Sequence, residues 1–258
     1  MPPITVPDFV KKWAASTRTE RAASQEHFID LCRLLGEQTP NEADQTGDHY
    51  AFEKGAEKTG GGDGFADVWL NGHFAWEYKG KHKDLRAAYK QLTDYHEALG
   101  NPPLLVVCDM ERFEVHTKWT NTETWTYRFR SADIATDLVT EVVTAAGPAW
   151  DAPSLPALQV LQALSENPER LKPGRTTEQL TAEAVSLFGE ISDEMRKWKV
   201  EDMRIARFIT KNDVLYVRDR CRPASARDLL GNYSEQPRAG CRVPLAVGRP
   251  VQDDEHRH

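Results

Sequence analysis

An α/β (α+β) fold, a mixed sheet flanked by helices with a helical connector behind it, is what this sequence predicts, on three observations. Alternating apolar and polar runs from Phe65 to Gly80 flank Asn71-Gly72, the strongest short-range signal for a β-hairpin. An amphipathic helical pattern follows and leads into the short apolar run Leu104 to Cys108. Beyond Pro156 apolar residues recur three and four apart, the period of helices that bury one stripe.

The 258 residues, 40% hydrophobic and 28% charged, are those of an ordinary globular chain able to bury a core. A formal net charge of −7 argues against a general charge-driven nucleic-acid binder, so any such contact has to be local. Cys32, Cys108, Cys221 and Cys241 show neither metal-type nor disulfide-framework spacing and read as reduced thiols, which implies a cytoplasmic location. The longest purely apolar run, Leu104 to Cys108, is far too short to span a bilayer, and no basic-then-apolar leader opens the chain, so no membrane partner is expected.

Taken in order, Asp8 reads as the N-cap of a short helix carrying Phe9 and Trp13. A second helix covers about Thr19 to Leu35, with Phe28, Leu31, Leu34 and Leu35 on one stripe and Gly36 as its stop. Glu26 lies on it, either as a solvated surface acid or as a support for the site described below. His27 reads as structural or exposed, because no second histidine follows at helical spacing. His49 to Ala56 forms a first strand. Thr59 to Gly64 is then a flexible glycine-rich loop and not a phosphate cradle, since neither G-x-G-x-x-G nor a Walker pattern is present. After the hairpin, Asp84 caps a helix running to Leu99, with Leu85, Ala88, Tyr89, Leu92, Tyr95 and Leu99 on its stripe; Gly100 and Pro102-Pro103 end it. Strands follow at Leu104 to Cys108, Phe113 to His116 and Thr124 to Phe129.

Composition turns to Gly, Pro and Ala between Ala145 and Pro156, which sets a first unit at residues 1–148 and a helical connector at 149–211. In the connector Thr176 and Gln179 make a capping box for a helix with Leu180, Ala184, Leu187, Phe188, Ile191 and Met195 on one stripe. A further helix begins near Glu201 and carries Met203, Ala206, Phe208 and Ile209. No internal repeat is apparent.

The chemistry lies in the hairpin. Asp67 is followed, after nine residues, by Glu77-x-Lys79, and a strand period of two puts Glu77 and Lys79 on one face. Two carboxylates held close repel, and a hard divalent cation, Mg2+, relieves the repulsion. Asp67 and Glu77 are therefore expected as metal ligands with the backbone carbonyl of Tyr78 as a third, and Lys79 as the cation that orients water. This is the spacing of the PD-(D/E)xK nuclease core, against which stands the ordinary alternative of charges on a solvated hairpin face. A two-residue turn would put Asp67 and Glu77 on opposite faces. A three-residue loop, Leu70-Asn71-Gly72 with Gly72 left-handed, pairs Asp67 with Ala75 and restores a common face, gathering Ala66, Val68, Phe74, Trp76 and Tyr78 on the other.

On the following helix Gln91 and Tyr95 form Q-x-x-x-Y, which resembles the helix motif of nucleases related to RecB and to type I restriction subunits, where it lies by the DNA backbone. Lys81, Lys83, Arg86 and Lys90 line a phosphate path on this reading, a solvated helix face being the alternative.

The runs E-R-A-A-S-Q-E-H-F-I-D-L-C-R-L-L-G, Y-A-F-E-K-G-A, G-F-A-D-V-W-L, F-A-W-E-Y-K-G-K-H-K-D-L and P-P-L-L-V-V-C-D-M resemble the N-terminal region of MmeI-like type IIL restriction-modification enzymes, over about Thr19 to Lys211. The resemblance implies a PD-(D/E)xK endonuclease joined to a helical connector, with Asp67, Glu77 and Lys79 as cleavage residues and double-stranded DNA as substrate. Such enzymes continue into an S-adenosylmethionine-dependent methyltransferase and a target-recognition domain. The methyltransferase D/N-P-P-Y/F motif and its glycine-rich loop are absent here, so S-adenosylmethionine has no expected site. The alternative is a non-catalytic truncated remnant that docks on a methyltransferase or target-recognition protein made separately. From about Asn212 to His258 arginine occurs without lysine and the helical pattern breaks, and a tail read in a shifted frame, poorly packed, is expected there.

Overall fold

The structure is a computed structural model and describes residues 3–57 and 63–211. Expectations for the tail after residue 211, for Cys221 and Cys241, and for most of the glycine-rich loop lie outside the described residues.

Helix α1 (Val6–Ala14) is capped by Thr5 and not by Asp8: the Asp8 amide donates to Thr5 Oγ1 at 3.3 Å while the Thr5 hydroxyl donates to Asp8 Oδ2 at 2.6 Å. Helix α2 (Glu20–Leu35) stops at Gly36, whose φ of 77° suits a residue without Cβ. After the short α3 (Pro40–Ala43) come β1 (Tyr50–Glu57), β2 (Asp63–Leu70), β3 (Phe74–Tyr78), α4 (Leu85–Tyr95), β4 (Leu104–Cys108), β5 (Arg112–Thr117), β6 (Thr126–Arg130) and β7 (Glu141–Val143). Then follow α5 (Ala157–Glu166), α6 (Thr177–Lys197) and α7 (Asp202–Lys211). Helix α4 ends a turn short of the expected Leu99, although Leu99 itself is buried.

The strands make one mixed sheet in the order β1-β2-β3-β4-β5-β6-β7. Every neighbouring pair is antiparallel except β3 and β4, because α4 supplies the crossover that a parallel pair needs. Alternation along β4 shows the layering: Leu104, Val106 and Cys108 join the principal core with α1, α2 and α5, whereas Leu105 and Val107 join a second core beneath α4. Cys32 and Cys108 are both buried free thiols.

Helix α5 and the turn after it, expected within the connector, pack in the principal core through Leu161, Leu164 and Leu171, so that core runs past residue 148. Helices α6 and α7 gather a separate small core of Ile191, Met195 and Ile205. The expected capping box starts α6: Gln179 N donates to Thr176 Oγ1 at 3.2 Å and Thr176 N to Gln179 Oε1 at 2.9 Å. Among the described residues no helix is long and apolar enough to cross a membrane.

Candidate active site

The β2–β3 hairpin closes through a three-residue loop with Gly72 at φ 72°, but the loop is Asn71-Gly72-His73 and not Leu70-Asn71-Gly72. Leu70 stays in the strand opposite Phe74 because its side chain packs on the principal core, and His73 N closes the turn on Leu70 O at 3.1 Å. The register thus differs from the expected one by two residues, which preserves the faces. With Val68 opposite Trp76, Asp67 comes level with Glu77 instead of Ala75. Val68, Phe74, Trp76 and Tyr78 share the apolar face as expected, whereas Ala66 does not and packs in the core beneath α4. The β1–β2 pairing passes from Phe52↔Val68 to Lys54↔Ala66 with Glu53 at φ 49° between them, and β2 turns its alternation there.

Asp67 Oδ2 accepts from the Tyr78 amide at 2.6 Å, a carboxylate standing where a ladder carbonyl would be. Glu77 Oε1 accepts from Lys79 Nζ at 2.7 Å and from Gln91 Nε2 at 2.7 Å, and Lys79 Nζ also reaches Gln91 Oε1 at 3.2 Å. These bonds exhaust one oxygen of Glu77. The other, Oε2, is buried and has no hydrogen-bond partner among the described residues, with Glu77 only 4% exposed. Such an atom is costly to leave unmatched.

The electrostatics agree. Burial, and then the neighbouring Asp67, push the Glu77 carboxyl up to about 7. Burial raises Asp67 too, against the Tyr78 amide that favours its charged form. For Lys79 burial pulls the pKa down, but the bond to Glu77 and the fields of Glu77, Glu20 and Asp67 outweigh it, so the ammonium stays charged. Two raised carboxylates and an orphaned buried oxygen fit a small hard cation. Among the described residues no three His, Cys, Asp or Glu side chains converge as a cage; two carboxylates beside a backbone carbonyl are oxygen donors of the kind hard divalent cations take.

The other residues singled out in the sequence take different places. Gln91 holds the site carboxylate and ammonium and does not point outward. Tyr95 is 3% exposed and lies over Gly64, where an added Cβ would come 2.2 Å from its ring. Lys81 Nζ donates to Trp13 O at 3.0 Å and Ala14 O at 3.3 Å, closing the C-terminus of α1. Glu26 pairs with Lys12 at 2.8 Å and with Arg18, away from the cluster. The acid that sequence reasoning missed is Glu20, in the first turn of α2, whose field acts on Asp67, Glu77 and Lys79 alike. A Cβ at Gly80 would lie 3.8 Å from its Oε2. An acid in a first helical turn is so common that its spacing gave no signal. Behind the site, fully buried His27 meets the Tyr78 hydroxyl at 2.8 Å through Nδ1.

A family model described as MmeI, N-terminal domain, matches residues 4–197. No curated protein matches the chain. Among solved structures the chain is similar to one titled "cryoEM structure DrdV-DNA complex", at 14% identity and a TM-score of 0.36, over 74% of this chain. It spans 15% of the length of that protein.

Proposed function

Because the chain belongs to the MmeI N-terminal domain family, we propose that it is the magnesium-dependent endonuclease part of a type IIL/IIG restriction-modification enzyme, hydrolysing phosphodiester bonds of double-stranded DNA. One observation carries this reading: the buried, unpartnered Glu77 Oε2 on the same face as Asp67 and Lys79. Asp67, Glu77 and the Tyr78 carbonyl would hold the cation, which when bound supplies Lewis-acid stabilisation of phosphate charge and a more acidic water.

The chain's own residues do the rest. Gln91 fixes Glu77 Oε1 and so leaves Oε2 as the free donor. The Tyr78 amide orients Asp67 through Oδ2. Lys79, kept charged by the acids around it, is placed to orient the attacking water and to steady negative charge that builds on the phosphate. Glu20 adds a further negative field, the supporting role expected of Glu26. The aromatic wall of Trp76, Tyr78 and His27 seals the strand from behind.

A second reading, an interaction module that docks on a separate methyltransferase, is favoured by the exposed Val185 (63%), Trp198 (51%) and Met203 (68%) of the α6–α7 unit. Supercoiled plasmid incubated with the full chain and Mg2+ separates the two. The nuclease reading expects nicking or linearisation that EDTA and Lys79→Ala each abolish. An inert wild type would favour the docking module, and undiminished cleavage by Lys79→Ala would remove that lysine from the mechanism.

A further inference from the structure

The turn Gly80–Lys83, directly after the site lysine, is held far more firmly than an exposed loop requires. Its three anchors are distinct. Lys83 N closes it on Gly80 O at 3.0 Å, His82 N donates to Asp109 Oδ2 at 3.0 Å, and Arg112 Nη2 donates to Lys83 O at 2.8 Å. Asp109 is 0% exposed and also accepts from Arg112 N at 2.7 Å and Arg112 Nε at 2.8 Å, so the clamp is a built buried network. Lys81, the remaining residue of the turn, is tied to the end of α1.

Within this clamp His82 has φ 63°, a left-handed conformation that a residue with a Cβ disfavours and glycine adopts freely. The strained backbone turns out two side chains, His82 and Lys83, that are exposed and form no hydrogen bond or ion pair among the described residues. Arg86, exposed in the first turn of α4, is likewise unpaired, and the Asp84 carboxylate beside it is turned to the Arg86 amide at 2.9 Å. Most cations near the sheet are already matched: Lys79 with Glu77, Lys90 with Asp94, Arg112 with Asp109, Arg128 with Glu114. In a chain of net charge −7, an unpaired lysine on a rigid turn four residues from Lys79, with an unpaired arginine in the helix that follows, suits an anionic partner.

We propose that the His82–Lys83 turn, together with Arg86, is a duplex-backbone contact that grips phosphates flanking the bond to be cut. The inference rests on the nuclease reading and deepens it by naming where the substrate backbone is held. Strain that the surrounding network enforces is expected at such a ligand clamp.

The test is binding of the full chain to a short fluorescent duplex in EDTA, which stops cleavage, across a salt series. Lys83→Ala and Arg86→Ala should each weaken binding uniformly across sequences and lower the slope of log K against log salt by about one. Lys81→Ala, which removes the α1 cap, should lower the thermal midpoint and leave the slope unchanged. His82→Gly should raise the thermal midpoint by relieving strain while weakening duplex binding. Unchanged slopes in both Lys83→Ala and Arg86→Ala, or a wild type without duplex affinity, would overturn the proposal. Plasmid cleavage by the wild type with those slopes unchanged would defeat this contact alone; loss of cleavage chemistry would show separately, in the plasmid assay.

Discussion

On one face of β3, Phe74, Trp76 and Tyr78 enter an aromatic core with Phe28, His27 and Phe113; on the other, Ala75 and Glu77 face α4 and lead to Lys79. Both faces are buried along the strand, and among the described residues the first leaves two ring nitrogens, His27 Nε2 and Trp76 Nε1, without a partner, but it is the second that holds an unmatched carboxylate oxygen and a carboxyl pushed up to about 7. A strand buried on both sides reads as continuous apolar sequence unless one side must hold charge. The difference teaches that burial here serves packing on one face and, on the other, raises the cost of charge that a cation can relieve.

The largest break of this contrast is Trp76→Ala. Trp76 is 1% exposed, and its loss should cost about 3–5 kcal/mol in urea unfolding, with cleavage falling only as the fold is lost. A cost below about 1 kcal/mol would contradict a rigid apolar face. Gly64→Ala acts on the other side, driving a methyl into Tyr95, for about 1–3 kcal/mol of destabilisation and a displaced α4. Gln91→Ala leaves Glu77 and Lys79 each one bond short; about 1–2 kcal/mol of stability should go, together with cation affinity.

Helices α2 and α4 and strand β4 were legible because their apolar periods are long or unbroken. Helix α5 falls where a helical pattern was expected, but the Gly-, Pro- and Ala-rich stretch before it suggested a boundary and hid that it packs in the principal core; β7 is only three residues at the sheet edge. The loop was misplaced by one residue, and the pairing by two, because Asn71-Gly72 marks a turn without saying whether Leu70 will be kept by the core. In the site, spacing along the chain singled out Asp67, Glu77 and Lys79, three side chains that lie together in the fold. It could not say that Gln91 points inward or that Glu20, not Glu26, faces the pair. Lys81 and Lys83 look alike in sequence; only the position of the α1 C-terminus makes one a cap and leaves the other unpaired.

The effects of pH have opposite signs on the two faces. Burial lowers His27 from 6.5 to about 3, so its contribution to stability is present above about pH 6.5 and is lost as pH falls toward 3. Glu77 is raised from 4.5 to about 7, so the folded chain binds its proton more tightly and stability falls as pH rises through that window. Glu77→Gln should flatten the loss between pH 4.5 and 7 and leave the acid limb alone. An unaltered profile would mean that Glu77 is not strained by its charge.

The most direct measurement is the thermal midpoint of the full chain titrated with Mg2+ at pH values on either side of about 7, for wild type, Asp67→Asn and Glu77→Gln. A cation held by the two carboxylates predicts a saturable rise in the wild type that grows with pH through about 7 and is absent or much reduced in both variants. No rise in the wild type, or an equal rise in Glu77→Gln, would contradict the account.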